Sequence, residues 1–182
     1  LDIETTGLDE LHNKIITIQY MELDEDTAKP RGPLKILKEW ESDEKTILKK
    51  FMEVFRPGND WAFVPIGFNL NFEHKFFWQR CISNSLEPFD IFNRPFLDLH
   101  TIAVIMNGGR FKGSGLDKIT NKPSSGKNIL QLYADKNFGE IESYIKKETD
   151  EFVGLAQWLY REMPQMLEKF TQHLSQNIEN KT

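Results

Sequence analysis

The sequence contains a single cysteine, Cys81, which excludes an internal disulfide framework and a zinc site built from several cysteines. No apolar run reaches the roughly 18 residues of a membrane-spanning helix, and no basic leader with an apolar core opens the chain. Lys and Arg number 23 against 28 Asp and Glu, a formal charge of −5, which excludes a broad cationic coating. We therefore expect a soluble cytoplasmic protein without membrane contact and without a disulfide-linked partner.

Aromatic residues, by contrast, are plentiful: they make up 12% of the 182 residues, and 14 of them are Phe. Disordered chains are poor in aromatic residues, so this composition favours a folded protein. A chain of this length corresponds to one domain with a sizeable core. We expect a single domain over 1–182, with its core at about 1–160 and a C-terminal helix at 163–178 packed on that core. The first strand is expected to begin before Leu1.

Hydrophobic periodicity predicts the order of strands and helices. Alternating apolar residues predict strands at 15–21 and 34–40, joined by a hairpin loop, and an apolar run predicts another strand at 61–67. Apolar residues at helical spacing predict helices that begin after Ser42 and at Asn69, and further helices at 99–106, 116–120, 140–160 and, beyond a break at Pro164, 163–178. The Gly-, Lys- and Ser-rich segment 107–127 is predicted to be mainly a loop. Together these elements predict an α/β domain.

The most distinctive segment is Asp-Ile-Glu-Thr-Thr-Gly-Leu at residues 2–8. Residues two apart in a strand point to the same face, so Asp2 and Glu4 present paired carboxylates. Like charges held close together repel, which raises one pKa or requires a cation between them. Oxygen ligands at this spacing suit Mg²⁺ or Mn²⁺. The alternative is an ordinary acidic strand edge followed by a turn.

This segment resembles the first motif of the DEDD 3′–5′ exonucleases, an RNase H-like group that includes the proofreading exonuclease domains of family-B DNA polymerases. The second motif of that family is an Asn and, a few residues later, Phe/Tyr-Asp at the start of a helix. It resembles residues 67–77, where Asn69 and Phe72 occupy matching positions. Glu73 stands where the family has Asp. The alternative is that Glu73 is only an acidic residue favoured by the dipole at a helix N-terminus.

The third motif of the family, Tyr-x₃-Asp in one subfamily, resembles residues 144–148, with Glu148 in place of the Asp. Asp150 is a competing carboxylate. Glu148 shares a helix face with Tyr144 and an apolar stripe, whereas Asp150 lies about 200° around the helix, on the solvent side. A Glu in an apolar stripe needs a partner, which a metal at the first motif would supply. The alternative is a Glu at the edge of the stripe with its carboxylate in water.

The resemblance implies an RNase H-like fold, with a mixed five-stranded sheet flanked by helices on both sides. It implies 3′–5′ hydrolysis of single-stranded nucleic acid, DNA or RNA, with two divalent metal ions, Mg²⁺ or Mn²⁺. The implied catalytic residues are Asp2, Glu4, Glu73, Tyr144 and Glu148; the four carboxylates would hold the metals and Tyr144 would orient the attacking water. The implied substrate contacts are Thr5, Gly7, Leu8, Asn69 and Phe72.

Two alternatives stay open at this point, and the first follows from the methylene that each Glu in place of Asp adds to a metal ligand. One is a nucleic-acid-binding module with a degenerate active site, and the other is another RNase H-like nuclease, such as an endonuclease. The basic segment contributes a further hypothesis. This segment is either a flexible basic loop or one side of a groove for a nucleic-acid strand. In the second case the groove would be lined by Lys112, Lys118, Lys122 and Lys127. Asp98 is predicted to cap the helix that follows it rather than to bind metal.

Overall fold

In this computed structural model the described residues are 1–56, 58–120 and 129–179, with side chains as far as residue 173. Two of the lysines assigned to a possible groove, Lys122 and Lys127, lie outside these residues, as does the side chain of Leu174. None of the described helices combines the length and the apolar composition that crossing a bilayer requires.

The described elements follow one another as short strands and longer helices. The strands are β1 (Asp2–Thr5), β2 (Ile15–Tyr20), β3 (Lys35–Lys38), β4 (Ile66–Gly67) and β5 (Leu97–Asp98). The helices are α1 (Glu44–Phe55), α2 (Asn71–Ser83), α3 (Leu99–Met106), α4 (Leu116–Ile119), α5 (Ile129–Ala134) and α6 (Phe138–Glu179), and a 3₁₀ turn at Glu39–Glu41 follows β3. This mixed α/β composition agrees with the predicted fold class.

The five described strands pair as two sheets. Strands β1, β2 and β3 form an antiparallel sheet in that order, and β4 pairs with β5 in parallel. The single five-stranded sheet implied by the resemblance is therefore not confirmed. A hydrogen bond joins the two sheets: the amino group of Leu1 donates to the carbonyl of Ile66 over 2.8 Å, so β4 begins beside β1.

The strand predicted at 61–67 is wrong in extent, because only Ile66 and Gly67 pair. Two features stop it from extending. Pro65 has no N–H to give to a ladder, and the backbone N–H of Trp61 is taken by the Oδ1 of Asn59 over 2.9 Å, in a turn. What remains is a strand just long enough to carry the chain into α2.

Helix α1 begins one residue later than predicted and covers the sheet. Its N-cap is Asp43, which accepts a hydrogen bond from the N–H of Thr46 over 2.7 Å, and not Ser42. Its buried face carries Phe51, whose ring stacks on Phe77 of α2 with centroids 4.9 Å apart. This aromatic layer, together with Ile3 and Ile18 of the sheet, forms the main core cluster, which holds β1 and α2 in place.

Helix α6 runs through Pro164, which was predicted to break it. A proline removes one backbone hydrogen bond, and the neighbouring turns of α6 are exposed, so water can satisfy the freed carbonyl. Beyond Leu159, the last residue of its buried face, the apolar side chains are exposed: Met163, Met166, Leu167 and Phe170. The predicted packing of 163–178 on the core is not seen in the described part of this segment.

Candidate functional site

Strand β1 places Asp2 and Glu4 on one face of its sheet and buries Ile3 on the other. Opposite them on β2 stand Gln19 and Thr17, which pair with Asp2 and Glu4 respectively in the antiparallel register. The hydroxyl of Thr17 donates to the Oε1 of Gln19 over 2.9 Å, and the Nε2 of Gln19 donates to the Oδ2 of Asp2 over 2.8 Å. This buried chain of hydrogen bonds fixes the orientation of the Asp2 carboxylate.

Sequence reasoning did not assign Thr17 and Gln19 to the site. The signal was present, because Thr17 and Gln19 are polar residues two apart on a strand otherwise made of Ile and Tyr, and such residues face the same way. Once β1 and β2 are paired antiparallel, that polar face coincides with the acidic face of β1. Hydrophobic periodicity does not show which strands pair, so it could not place these two residues opposite Asp2 and Glu4.

Helix α6 brings a third carboxylate to the same place. One carboxylate oxygen each from Asp2, Glu4 and Glu148 lies within 4.8 Å of the others, and all three residues are half-buried. The competing Asp150 is exposed, as the helix-face argument predicted. Three hard oxygen donors this close form a set that suits a divalent cation such as Mg²⁺ or Mn²⁺.

Tyr144 lies one helical turn before Glu148 and lines the same cleft. Burial raises the pKa of the Tyr144 hydroxyl, and the negative charge of Glu148 and a hydrogen bond to it raise this pKa further. A raised pKa keeps the proton on this hydroxyl at neutral pH. The hydroxyl is therefore a hydrogen-bond donor there.

Glu73, in the first turn of α2, completes the acidic group. It is 3% exposed, and its Oε2 has no hydrogen-bond partner. Burial raises the pKa of Glu73 well above its usual range, and the charge of Asp2 beside it raises this pKa further. A buried carboxylate next to a second carboxylate is costly unless a proton neutralises it or a cation pairs with both. The residues present thus fit divalent ions.

The backbone that leads into α2 is held by Asp98, which acts twice. Its two carboxylate oxygens accept hydrogen bonds from the N–H groups of Asn69 and Leu70 over 2.8 and 3.0 Å. It also caps α3 by accepting from the N–H of His100 over 3.0 Å, which confirms the predicted cap. Asn69 adopts φ of 68°, so the chain turns sharply there before Glu73 enters the site.

The turn after β1 is also built around close contacts. Thr5 donates its hydroxyl to the carbonyl of Gly7 over 2.6 Å. A Cβ at Gly7 would lie 2.5 Å from the Oδ1 of Asn13, so a side chain there would displace Asn13. Asn13 in turn donates to the carbonyl of Thr6 over 3.3 Å. These contacts present Leu8, which is 85% exposed, at the end of the turn.

One cleft of about 1480 Å³ contains all ten residues that the sequence assigned to catalysis or substrate binding. They are Asp2, Glu4, Thr5, Gly7, Leu8, Asn69, Phe72, Glu73, Tyr144 and Glu148. Phe72 also packs against Phe76, with ring centroids 4.8 Å apart, so part of its ring belongs to the core. Residues that are distant along the chain therefore share one surface.

The cleft is strongly acidic. Among its described lining residues there are eight carboxylates and two permanent cations, Arg31 and Lys35. Arg31 is paired with Asp24, with Nη2 and Oδ2 2.8 Å apart. Lys112 and Lys118, assigned by the sequence to a possible groove, are exposed and do not belong to the described lining. A polyanion could approach this surface only with cations bound to the carboxylates.

A family model of the RNase H superfamily, RNase_H_2, matches residues 1–124, which is more than half of the chain. The chain belongs to the RNase H superfamily. The matched segment includes Asp2, Glu4 and Glu73, whereas Tyr144 and Glu148 lie beyond it. No curated protein matches the chain.

Membership of the RNase H superfamily indicates a nuclease-type hydrolase, with nucleic acid as the partner. Nucleases of the RNase H superfamily usually use divalent metal ions, and the carboxylates of Asp2, Glu4 and Glu148 form an acidic cluster of the corresponding kind.

Proposed function

We propose that this RNase H superfamily protein is a 3′–5′ exonuclease of single-stranded nucleic acid, in the tyrosine subfamily of the DEDD enzymes, and that it uses two divalent ions. One observation carries the proposal. Three carboxylates from β1 and α6 converge within 4.8 Å, and they share a cleft with Tyr144 and with the buried, unpartnered oxygen of Glu73. The same five positions are those that the resemblance to the DEDD exonucleases implies.

The residues of the chain have distinct tasks in this proposal. Gln19 holds Asp2 in one orientation, so that its carboxylate can face two neighbours at once. Tyr144 keeps its proton, which it donates to Glu148 in the metal-free protein, and it would donate this proton in a hydrogen bond that orients the attacking water once a cation holds Glu148. Divalent ions held by the four carboxylates Asp2, Glu4, Glu73 and Glu148 would lower the pKa of that water and stabilise the leaving 3′ oxygen. Thr5, Gly7, Leu8, Asn69 and Phe72 contact the terminal nucleotides.

We also propose that the two described sheets belong to one five-stranded RNase H-like sheet. The hydrogen bond from Leu1 to Ile66 supports this, and the strand order would be β3-β2-β1-β4-β5. In that order β1 is central, and the motif carboxylates lie at the middle of the sheet, between α2 and α6.

Digestion of short single strands tests the function directly. DNA and RNA strands labelled at the 5′ end are incubated with Mn²⁺ or Mg²⁺, and the products are resolved by length. A 3′–5′ exonuclease shortens the labelled strand in single-nucleotide steps from its 3′ end. Internal cuts at early times would instead identify an endonuclease, and strand binding without cleavage would identify a degenerate binding module.

The matched control is Asp2→Ala, which removes the carboxylate proposed to contact both metals. We expect this variant to keep the fold, because the change also removes repulsion between Asp2 and Glu73. Its digestion rate should fall to that of a reaction with chelator. A purified Asp2→Ala protein that degrades the strand as fast as the parent would show that the activity has another source.

A further inference from the structure

Exposed apolar side chains line part of the cleft. Trp61 lines the cleft and is 73% exposed. Four more exposed apolar side chains line the same cleft, namely Leu8, Val54, Val64 and Leu130, with exposed fractions of 85%, 40%, 37% and 54%. Single exposed apolar side chains are ordinary on protein surfaces, whereas several lining one cleft indicate a binding surface. We call these five residues the apolar lining.

The loop that carries Trp61 is fixed from behind. Phe63, two residues later, packs its ring on Phe55 of α1, with centroids 5.4 Å apart. Arg94 donates from Nη1 to the carbonyls of Phe55 and Phe63, over 2.8 and 3.3 Å. Asn59 accepts from the backbone N–H of Trp61 over 2.9 Å. The exposed indole is therefore presented on an anchored backbone, which lowers the entropy lost when a ligand stacks on it.

The charges in the cleft determine which part of a nucleic-acid strand the apolar lining can contact. Eight carboxylates but only two permanent cations line it among the described residues, and Arg31 is already paired with Asp24. Attraction between phosphates and basic side chains, the usual source of affinity for nucleic acid, is small here. The faces of the bases are the remaining contact, because bases stack on aromatic side chains regardless of their identity.

We propose that Trp61 is a stacking platform for a base of the single strand whose 3′ end reaches the carboxylates, and that the apolar lining holds this strand mainly through its bases. The inference rests on the proposed exonuclease function and adds the residue and the kind of contact that bind its single-stranded substrate. The substrate is a strand with unstacked bases, DNA or RNA, bound with little sequence preference, because stacking uses the face that all bases share. A base-paired end is excluded, since its faces are occupied within the duplex.

The test measures binding separately from cleavage. The affinity of labelled oligo-dT and oligo-U is measured with Ca²⁺ present, for the parent, Trp61→Ala, Trp61→Phe and the control Trp78→Ala, and the KM and kcat of digestion are measured with Mn²⁺. Trp78 is a half-exposed tryptophan of α2 that does not line the cleft. We expect Trp61→Ala to weaken binding about tenfold or more and to raise KM more than it lowers kcat. Trp61→Phe should restore most of the affinity, and Trp78→Ala should match the parent.

Two further measurements identify stacking as the cause. Single abasic sites are placed at successive positions from the 3′ end. One position should weaken parent binding about as much as Trp61→Ala does and should have no added effect in that variant. Raising the salt concentration about fourfold should weaken parent binding by about threefold or less, the change expected for about one neutralised phosphate on a single strand.

The possible failures can be told apart. A parent protein that binds and cuts single strands while Trp61→Ala is indistinguishable from it would overturn the assignment of Trp61 alone. A salt dependence several times steeper than expected would overturn the claim that bases and not phosphates hold the strand. A parent that neither binds nor cuts any strand would overturn the exonuclease function and, with it, this inference. Thermal unfolding of Trp61→Ala at the parent's temperature confirms that the variant is folded.

Discussion

Replacing Glu73 with Gln should stabilise the metal-free protein while removing its activity. Glu73 is 3% exposed, its Oε2 has no partner, and Asp2 lies beside it. In the absence of a cation, a charge at this position is both desolvated and repelled. A Gln of the same shape carries no charge and can donate its amide hydrogen to Asp2, but it cannot serve as an anionic metal ligand.

The size of the effect follows from the burial of this side chain. A buried polar group without a partner costs about 1–3 kcal/mol. For a chain of this length, each kcal/mol moves the unfolding temperature by about 2–4 °C. We therefore expect Glu73→Gln to unfold about 2–12 °C above the parent in chelator at alkaline pH.

The effect should depend on pH in a known direction. Because the pKa of Glu73 is raised in the folded protein, the folded state keeps a proton that the unfolded chain loses above its ordinary pKa of 4.5. The parent's free energy of unfolding therefore falls as the pH rises from about 4.5 through the folded pKa. The advantage of Glu73→Gln should be small at pH 4.5, grow with pH and level off once Glu73 is ionised in the folded state.

The assay is thermal unfolding followed by circular dichroism across this pH range, in chelator and again with Mn²⁺. Mn²⁺ should stabilise the parent more than the variant, because only the parent offers the full set of carboxylates.

Two control substitutions show what the same change does at other glutamates. Glu53→Gln, at an exposed position of α1, should leave the unfolding temperature nearly unchanged. Glu44→Gln should lower it, since Glu44 is buried in an ion pair with Arg80. Equal unfolding temperatures for Glu73→Gln and the parent at alkaline pH would refute the reasoning.

Three other predictions concern the same protein. Glu148→Gln should slow digestion at least a hundredfold, whereas Asp150→Asn, at an exposed position, should change it by less than about threefold; the reverse result would reassign the third carboxylate. Mn²⁺ should give higher turnover than Mg²⁺ at saturating metal, because Glu in place of Asp at 73 and 148 lengthens the ligands and Mg²⁺ is stricter about geometry; equal turnover would contradict this. Burial raises the pKa of the Cys81 thiol to about 11, so at pH 8 a thiol reagent should modify the folded protein far more slowly than the denatured chain, and equal rates would place Cys81 at the surface.

The sequence could predict on which face of its own strand or helix each acidic residue lies, because that face is a local property. Alternation along β1 puts Asp2 and Glu4 on one face, and helical periodicity distinguishes Glu148 from Asp150. Each of these inferences needs only a few consecutive residues and a regular backbone. The structure brings the first three of these carboxylates together and leaves Asp150 exposed. Their role as metal ligands remains a prediction.

The parts that the sequence could not supply depend on pairing between distant segments. Nothing local indicates that Gln19 stands opposite Asp2, or that Asp98 holds the backbone in front of α2 as well as capping α3. The strand at 61–67 failed for a related reason, since an apolar run does not reveal whether its N–H groups find a ladder or a turn. Pro164 is the reverse case, in which a strong local signal for a break did not end the helix because water can serve the freed carbonyl.

The two glutamates that are buried in the described part of the chain differ in how their charge is balanced. Glu44 accepts hydrogen bonds from Arg80 through both oxygens, each over 2.9 Å, and from the backbone N–H of Ile15 over 2.8 Å, so its charge is matched within the protein. Glu73 is buried more deeply, yet its Oε2 is left without a donor and its neighbour is another carboxylate. The partner that orients Asp2 is a neutral amide, which fixes the position of that carboxylate without neutralising its charge. The fold pairs one buried glutamate with an arginine and leaves the other beside Asp2, where a proton or a cation must neutralise it, so the metal-free protein bears a growing cost as the pH rises through the raised pKa of Glu73.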